Sequence, residues 1–255
     1  MGTLRIIPRS IESPFREMAL DHALFEIAIQ QNSATPILRF YQFESESITV
    51  GFSQRNPSLV ERVSALQLPW VRRLTGGGMV RHQNDIIFSA IFPAGIHKDF
   101  ATSRSTYQAI HLCIAQAFTE FQIKTMFQSG CQKQDFIPEH MICFEKPICD
   151  DLIYQNQKIV GGAQRRTRGF VLHQGSIQLN RFSQNYDNQI TISHLEKAVI
   201  RAFQEYFYWE SELRTLTSQE ISLSRALEMD QYRNPVWNRR GRQDSKEIRM
   251  SAAVC

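Results

Sequence analysis

Apolar positions recur along the chain with two periods, about 3.6 residues in some segments and two in others, and these periods predict helices and strands. The predicted helices are Arg16 to Gln30, Pro57 to Gln67 with Asn56 as its N-cap, a long helix from Thr102 or Ser103 to about Phe121, Ser193 to Tyr208, and Ser218 to Met229. The predicted strands are Leu4 to Pro8, Ile37 to Phe43, Ser47 to Phe52, Trp70 to Leu74, Asp85 to Phe92, Cys149 to Gln155, Lys158 to Arg165, and Phe170 to Leu179.

The strands fall into two groups that are each followed by helices, which favours an α+β fold with a mixed central β-sheet. We expect one domain over residues 1–240, with helices packed on one side of the sheet, and a charged, disordered tail over residues 241–255. In the first helix the apolar face is made by Leu20, Leu24, Ile27 and Ala28. We expect Glu17, Asp21 and Glu26 to lie mostly off that face.

One stretch, Trp70 to Phe92, stands out because three consecutive glycines interrupt a strand pattern. Gly76, Gly77 and Gly78 follow Arg72 and Arg73 and precede Arg81 and His82. A bare backbone with cationic neighbours is typical of a site that a ligand approaches closely. The simpler interpretation is a glycine-rich hairpin turn on a basic surface.

A second stretch, from Cys143 to Leu179, carries the candidate chemistry. It predicts a hairpin that turns at residues 155–157 and a strand that is interrupted by Gly161 and Gly162. If this hairpin faces the first glycine segment, Lys158, Arg73, His82 and a cysteine would share one pocket. Lys158 could then bind a carbonyl oxygen or a phosphate, although a lysine on a solvated strand edge is the commoner case.

Two cysteines compete as nucleophile in this second stretch. Cys143 lies in a loop-like segment, where catalytic groups are often found. Cys149 is followed by Asp150 and Asp151, whose negative charges would raise a thiol pKa, and this favours Cys143. Cys113 is expected to be a core residue.

Composition narrows the class of protein without defining it. The chain has 255 residues, 42% hydrophobic and 21% charged, with a net charge of +4. This is an ordinary globular composition, too weakly basic for a nucleic-acid partner but suited to acidic protein partners. No signal peptide or membrane span is predicted, and five cysteines without a CxxC pair indicate neither disulfides nor zinc. We therefore expect a cytoplasmic monomer without metal or cofactor.

The two glycine-containing segments, RRLTGGGMVRH and KIVGGAQRRTRGFVLHQGSI, resemble the two signatures of the lipoate–protein ligase and octanoyltransferase superfamily. The resemblance extends from the first helix to YRNPVWNRR, so it covers most of the chain. It implies the biotin/lipoate protein ligase-like fold. It also implies a set of substrate-binding residues, namely Arg73, Thr75, Gly76, Gly77, Gly78, His82, Gly161, Ala163, His173 and Gly175.

The segment CFEKP, whose cysteine lies fifteen residues before Lys158, is similar to the LipM-type octanoyltransferases. That similarity implies that Cys143 is the acyl acceptor and Lys158 its catalytic partner. The implied donor is octanoyl–acyl carrier protein, and the implied acceptor is the lysine of a lipoyl-domain protein such as glycine cleavage H protein. Both partners are acidic, which suits the basic rim expected here.

The glycine loop does not by itself separate a transferase from a ligase. TGGG also occurs in lipoate ligases, which activate lipoate with ATP, although these tend to carry aspartate where this chain has Gln83. Cys143 and the absence of room for a small accessory domain favour the transferase. The alternatives are an ATP-dependent lipoate ligase or lipoyl amidotransferase, and an inactive relative that only binds lipoyl domains or acyl groups.

Overall fold

Eleven strands and six helices are present in the part of the chain that the structure, a computed structural model, describes: residues 2–129, 144, 145, 147–181 and 191–241. The strands are β1 Gly2–Glu12, β2 Ile37–Phe43, β3 Ser47–Val50, β4 Trp70–Arg72, β5 Val80–His82, β6 Asp85–Pro93, β7 Met126–Phe127, β8 Leu152–Tyr154, β9 Gln157–Thr167, β10 Phe170–Gln178 and β11 Trp209–Leu213. The helices are α1 Pro14–Gln30, α2 Pro57–Ala65, α3 Ser103–Thr119, α4 Ile192–Phe207, α5 Ser218–Leu227 and α6 Pro235–Arg240.

Eight strands form one mixed sheet in the order β11-β1-β2-β6-β10-β9-β8-β7, so the predicted α+β class with a mixed sheet is confirmed. The strands β11, β1 and β2 run parallel, whereas the pairs from β2 to β7 are antiparallel. A separate three-stranded sheet, β4-β3-β5, contains the strands on either side of the triple glycine. The triple glycine therefore belongs to a small sheet beside the large one.

Helices cover both faces of the large sheet, so the prediction that they pack on one side was wrong. Along β6, Phe88 and Phe92 point into a core that includes residues of α3 and α4. The alternate residue Ile91 packs with Leu24 of α1 on the opposite face. Because side chains alternate along a strand, the unbroken apolar run of β6 is what a doubly covered strand requires.

The predicted helix starts are confirmed where a side chain caps them. Thr102 and Ser105 form a capping box at α3, Thr217 and Glu220 form one at α5, and the Asn56 side chain accepts from the amide of Ser58. No helix among these described residues is long and apolar enough to cross a membrane.

The last described helix, α6, packs against β4. Asn238 is buried inside α6, and its Oδ1 accepts a hydrogen bond from the Arg72 amide. Gly241, with φ of +63°, ends the helix in the left-handed conformation that glycine favours. The predicted tail beyond Gly241 lies outside the described residues. So does most of the segment between Gln128 and Met141, whose polar sequence predicts a surface loop.

Candidate active site

A cavity of about 450 Å³ lies between the two sheets, on the face of the large sheet that carries α1. The cavity is lined by Met18, Tyr41, Phe43, Thr49, Arg73, Val80, His82, Ile87, Phe144, Lys158, Gly161, Gly162, Ala163, Gln174, Gly175 and Ser176. Most of its lining surface is apolar, with a few polar groups at one end.

Four lining residues form a single row across the floor of the cavity. Tyr41 pairs with Ile87, Ile87 with Ser176, and Ser176 with Gly161. Since neighbouring strands lie about 4.8 Å apart, this row is about 14 Å long. Tyr41 is fully buried at one end, whereas Ala163, beside the other end, is half-buried. The cavity is thus closed at Tyr41 and accessible near β9.

Lys158 stands at the accessible end of the cavity, and its side chain is only 2% exposed. Its Nζ lies 2.8 Å from Oδ2 of Asp151 and 5.0 Å from the centre of the Phe144 ring. Burial raises the pKa of the Asp151 carboxyl, and the nearby Lys158 ammonium opposes that rise. Lys158 is therefore a buried, ion-paired lysine and not a solvated edge residue.

Tyr107 fixes this ion pair from the other side of the sheet. Its hydroxyl donates to Oδ1 of Asp151 at 2.5 Å and accepts from the Gly162 amide at 2.9 Å. Strand β8 ends before it reaches Gly162, so the Tyr107 oxygen takes the place that a strand carbonyl would otherwise fill. Tyr107 was not among the residues predicted for the site.

The glycine loop is organised around the guanidinium of Arg73. The Nη2 atom donates to the carbonyls of Gly76 and Gly78, at 2.6 and 2.8 Å. Gly77 has a φ of +80°, which lets the loop turn. Its carbonyl lies so close to Gly51 that a Cβ on Gly51 would collide with it. The loop therefore directs its carbonyl groups at the Arg73 guanidinium. The sequence had predicted a bare backbone with cationic neighbours that a ligand could approach, and this is not what forms.

The other cationic residues of the first motif are also engaged. Arg72 is buried and donates to backbone carbonyls, among them that of Gly51 at 2.7 Å. Arg81 is exposed and paired with Glu46. His82 is buried in the cavity wall, where its ring nitrogens contact Thr49 Oγ1 at 2.9 Å and Asp85 Oδ2 at 2.7 Å.

The structure brings together half of the site residues predicted from the sequence. Those that line the cavity are Arg73, His82, Lys158, Gly161, Ala163 and Gly175. Gly76 and Gly78 accept hydrogen bonds from Arg73, and Gly77 provides the turn between them. Thr75 reaches the cavity only through a 2.8 Å bond to Gln174.

His173 and the cysteines lie elsewhere. His173 points to the opposite face of the sheet, where its ring stacks on Phe88 and its pKa is lowered to about 3 by burial. Cys143 lies outside the described residues, but the next residue, Phe144, lines the cavity. Cys149 is half-buried and does not line the cavity. Cys113 is a core residue, as predicted.

A buried polar network behind the closed end was not predicted. Asp21 accepts from Arg39 at 2.6 Å, from Tyr41 at 2.8 Å and from Gln174 at 2.6 Å, and Glu17 also binds Arg39. Glu17 and Asp21 are fully buried, so the expectation that they lie off the packed face was wrong. Arg39, the one charged residue in the strand ILRFYQF, was the available signal, because a buried charge needs a partner.

The family model of the lipoyl protein ligase A/B catalytic domain matches residues 13–202. The chain belongs to this family.

Among its relatives, the octanoyltransferase LipM of Anoxybacillus flavithermus is 27% identical over 89% of this chain and 94% of its own length. LipM of Bacillus subtilis is 26% identical over 92% of this chain and 98% of its own.

Solved structures agree with the fold. A bipartite lipoate protein ligase from Thermoplasma acidophilum, described with its E2 lipoyl domain, superposes with a TM-score of 0.71 at 17% identity, covering 96% of this chain and 99% of that one. LipL1 of P. falciparum in complex with lipoate gives a TM-score of 0.66 at 17% identity, covering 96% of this chain and 75% of that one. At this identity the similarity establishes the fold alone.

Proposed function

We propose that this protein is an octanoyltransferase that forms an acyl-enzyme on Cys143. It takes an octanoyl group from the thioester of acyl carrier protein and delivers it to the lysine of a lipoyl-domain protein such as glycine cleavage H protein. The observation that carries the proposal is the cavity: it is largely apolar, it is closed at Tyr41, and its accessible end lies beside buried Lys158 and beside Phe144, the residue next to Cys143. The relatives named octanoyltransferase LipM support the same activity.

The size of the cavity suits an octanoyl chain. An extended eight-carbon chain advances about 1.3 Å per C–C bond and is about 9 Å long. It fits within the row from Tyr41 to Gly161, which is about 14 Å long. We expect the chain to lie along this row with its carboxyl carbon at the β9 end, near the Lys158 ammonium.

The chemistry needs two transfers. The Cys143 thiolate attacks the thioester carbonyl, the C–S bond of the donor breaks, and the donor thiol leaves with a proton. The amine of the acceptor lysine then attacks the new thioester, loses a proton and forms an amide, which regenerates the cysteine. Lys158 donates to the oxyanion in both steps, and its burial strengthens that interaction.

The test is a transfer assay with octanoyl–acyl carrier protein and apo H protein in the absence of ATP. We expect octanoyl-H protein to form, with its mass increased by one octanoyl group. A requirement for both ATP and free lipoate would instead identify a ligase, and ATP-independent transfer only from a lipoylated protein would identify an amidotransferase. A complex without any transfer would identify an inactive binding relative.

A further inference from the structure

An open cleft of about 940 Å³ adjoins the cavity on the same side of the large sheet. Strand β9 connects the two sites: Gly161 and Ala163 line the cavity, while Arg165 and Thr167 line the cleft. These four residues alternate along a regularly paired strand, so they face the same way. A molecule that leaves the cavity along β9 therefore enters the cleft.

Two arginines stack on one phenyl ring at the rim of this cleft. The guanidinium of Arg165 lies 5.0 Å from the centre of the Phe52 ring, and that of Arg55 lies 5.1 Å from it. Stacking on an aromatic ring holds a guanidinium in place while its N–H groups stay available to a ligand. Neither arginine forms an ion pair with a carboxylate among the residues that the structure describes.

Positive charge is concentrated around this rim. Burial lowers the pKa of Arg72 to about 10, and repulsion from Arg55 and Arg73 adds to that effect. On the opposite wall of the cleft, Glu26 lies 3.6 Å from His22, whose hydrogen bond lowers the pKa of the carboxyl, and the charge of Arg165 adds to that effect. Two guanidinium groups that are held on one aromatic ring favour the binding of a phosphate anion.

The distance from the arginine rim to the reacting end of the cavity matches the length of a phosphopantetheine arm. Arg165 is four residues beyond Gly161 on an extended strand, about 13 Å away. Lys158 lies beside Gly161, since a Cβ there would collide with its side chain. In a phosphopantetheine arm, thirteen bonds separate the sulfur from the phosphorus, an extended length of about 16 Å. The arm can therefore reach from the thioester to the arginine side chains.

We propose that Arg55 and Arg165, stacked on Phe52, bind the phosphate of the pantetheine arm that carries the acyl group. This proposal rests on the proposed acyl transfer and adds a binding site for the donor. A nucleotide would offer the same phosphate chemistry, so the test must separate the two sources.

The test compares two small donors, octanoyl-phosphopantetheine and octanoyl-pantetheine, which differ only in the phosphate. We measure kcat/KM for formation of the acyl-enzyme by intact mass in the wild type, Arg55→Gln and Arg165→Gln. The matched control is Arg214→Gln, which removes an equally cationic but distant residue that pairs with Glu212. ATP is added as a competitor in a separate series.

We expect the wild type and Arg214→Gln to prefer the phosphorylated donor about ten-fold, and each rim variant to lose most of that preference. The reaction with octanoyl-pantetheine should change little in the rim variants, and the wild-type preference should shrink as salt is added. Equal use of both donors by the wild type would overturn the proposal, as would a preference that survives in both rim variants.

ATP could instead compete with the donor in the wild type but not in the rim variants, while the wild type shows no preference between the two donors. That result would assign the arginines to a nucleotide and overturn the assignment to the arm. If neither donor acylates the wild type while octanoyl–acyl carrier protein does, the proposed function stands and the arm site is wrong. If no donor acylates it, the proposed function itself is wrong.

Discussion

The hydroxyl of Tyr107 lies 2.5 Å from Oδ1 of Asp151, although Tyr107 belongs to α3 and the cavity is on the other face of the sheet. This bond is the link between the helix behind the sheet and the buried ion pair of Asp151 and Lys158. Because Tyr107 also accepts from the Gly162 amide, it ties a cavity wall to the same pair. We interpret Tyr107 as a positioning residue for Lys158.

Replacing Tyr107 with phenylalanine should slow acylation about ten-fold, since a lost hydrogen bond to a charged group is worth about 1.5 kcal/mol or more. The KM for the donor should be unchanged. The hydroxyl lowers the pKa of Asp151, so its loss should move the acid limb of the rate–pH profile to higher pH. The matched control is Tyr206→Phe, which removes a bond to Asp99 away from the cavity. A purely structural Tyr107 would leave the pH profile where it was.

Lys158 should contribute to stability and to activity in separable ways. Lys158→Met leaves Asp151 buried without its cation, and we expect unfolding in urea to become about 3 kcal/mol easier. The double variant Lys158→Met/Asp151→Asn should recover most of that stability, because the uncompensated charge is gone. Acyl transfer should remain lost in both. Activity that returns with stability in the double variant would contradict a catalytic role for Lys158.

Gly51 should tolerate no side chain, because its Cβ would collide with the Gly77 carbonyl. We expect Gly51→Ala to cost about 2 kcal/mol of stability and to lower acyl transfer by displacing the loop around Arg73. Gly95→Ala, where a Cβ meets no atom within 4 Å, is the matched control. Equal thermal shifts in the two variants would show that the loop can move without cost.

His173 should make stability depend on pH. Its folded pKa is about 3, lowered by burial, against an unfolded value of about 6.5. The unfolded state therefore binds a proton that the folded state rejects. Stability is fully present above about pH 6.5 and falls toward pH 3, by up to about 1.4 kcal/mol per pH unit for this one group.

His173→Phe should flatten that dependence by about one proton and preserve the stacking on Phe88. Urea unfolding between pH 4.5 and 7.5 measures the slope. The fully buried His111, whose pKa is also lowered by burial, should supply part of the slope that remains. An unchanged slope in the variant would mean that His173 is accessible to protons in the folded state.

The pattern of the sequence predicted the elements well where local signals determine them. The turn at Gln155 and Asn156, both with positive φ, and the capping box at Thr217 follow from short-range chemistry. The sequence pattern did not predict helices on both faces of the sheet, because their placement depends on which strands become neighbours. The paired carboxylates Glu17 and Asp21 share a helix face at a spacing of four residues, but only the distant Arg39 makes their burial favourable.

The candidate site was predicted in its residue types more than in its geometry. Lys158, Arg73 and His82 were identified from the motifs and do line one cavity. The direction in which a strand residue points cannot be read from a glycine-rich motif, which is why His173 was expected among the substrate-binding residues. Asp151 was considered only for its effect on a thiol, because its contact with Lys158 requires the hairpin to fold first.

The most direct test of the central claim is an intact-mass measurement after incubation with octanoyl–acyl carrier protein without ATP. We predict one octanoyl adduct that is released by hydroxylamine, absent in Cys143→Ala and retained in Cys149→Ala. Fragmentation should place the adduct on Cys143, next to the cavity residue Phe144. An adduct that survives in Cys143→Ala, or transfer to a lipoyl domain without any adduct on Cys143, would contradict the account.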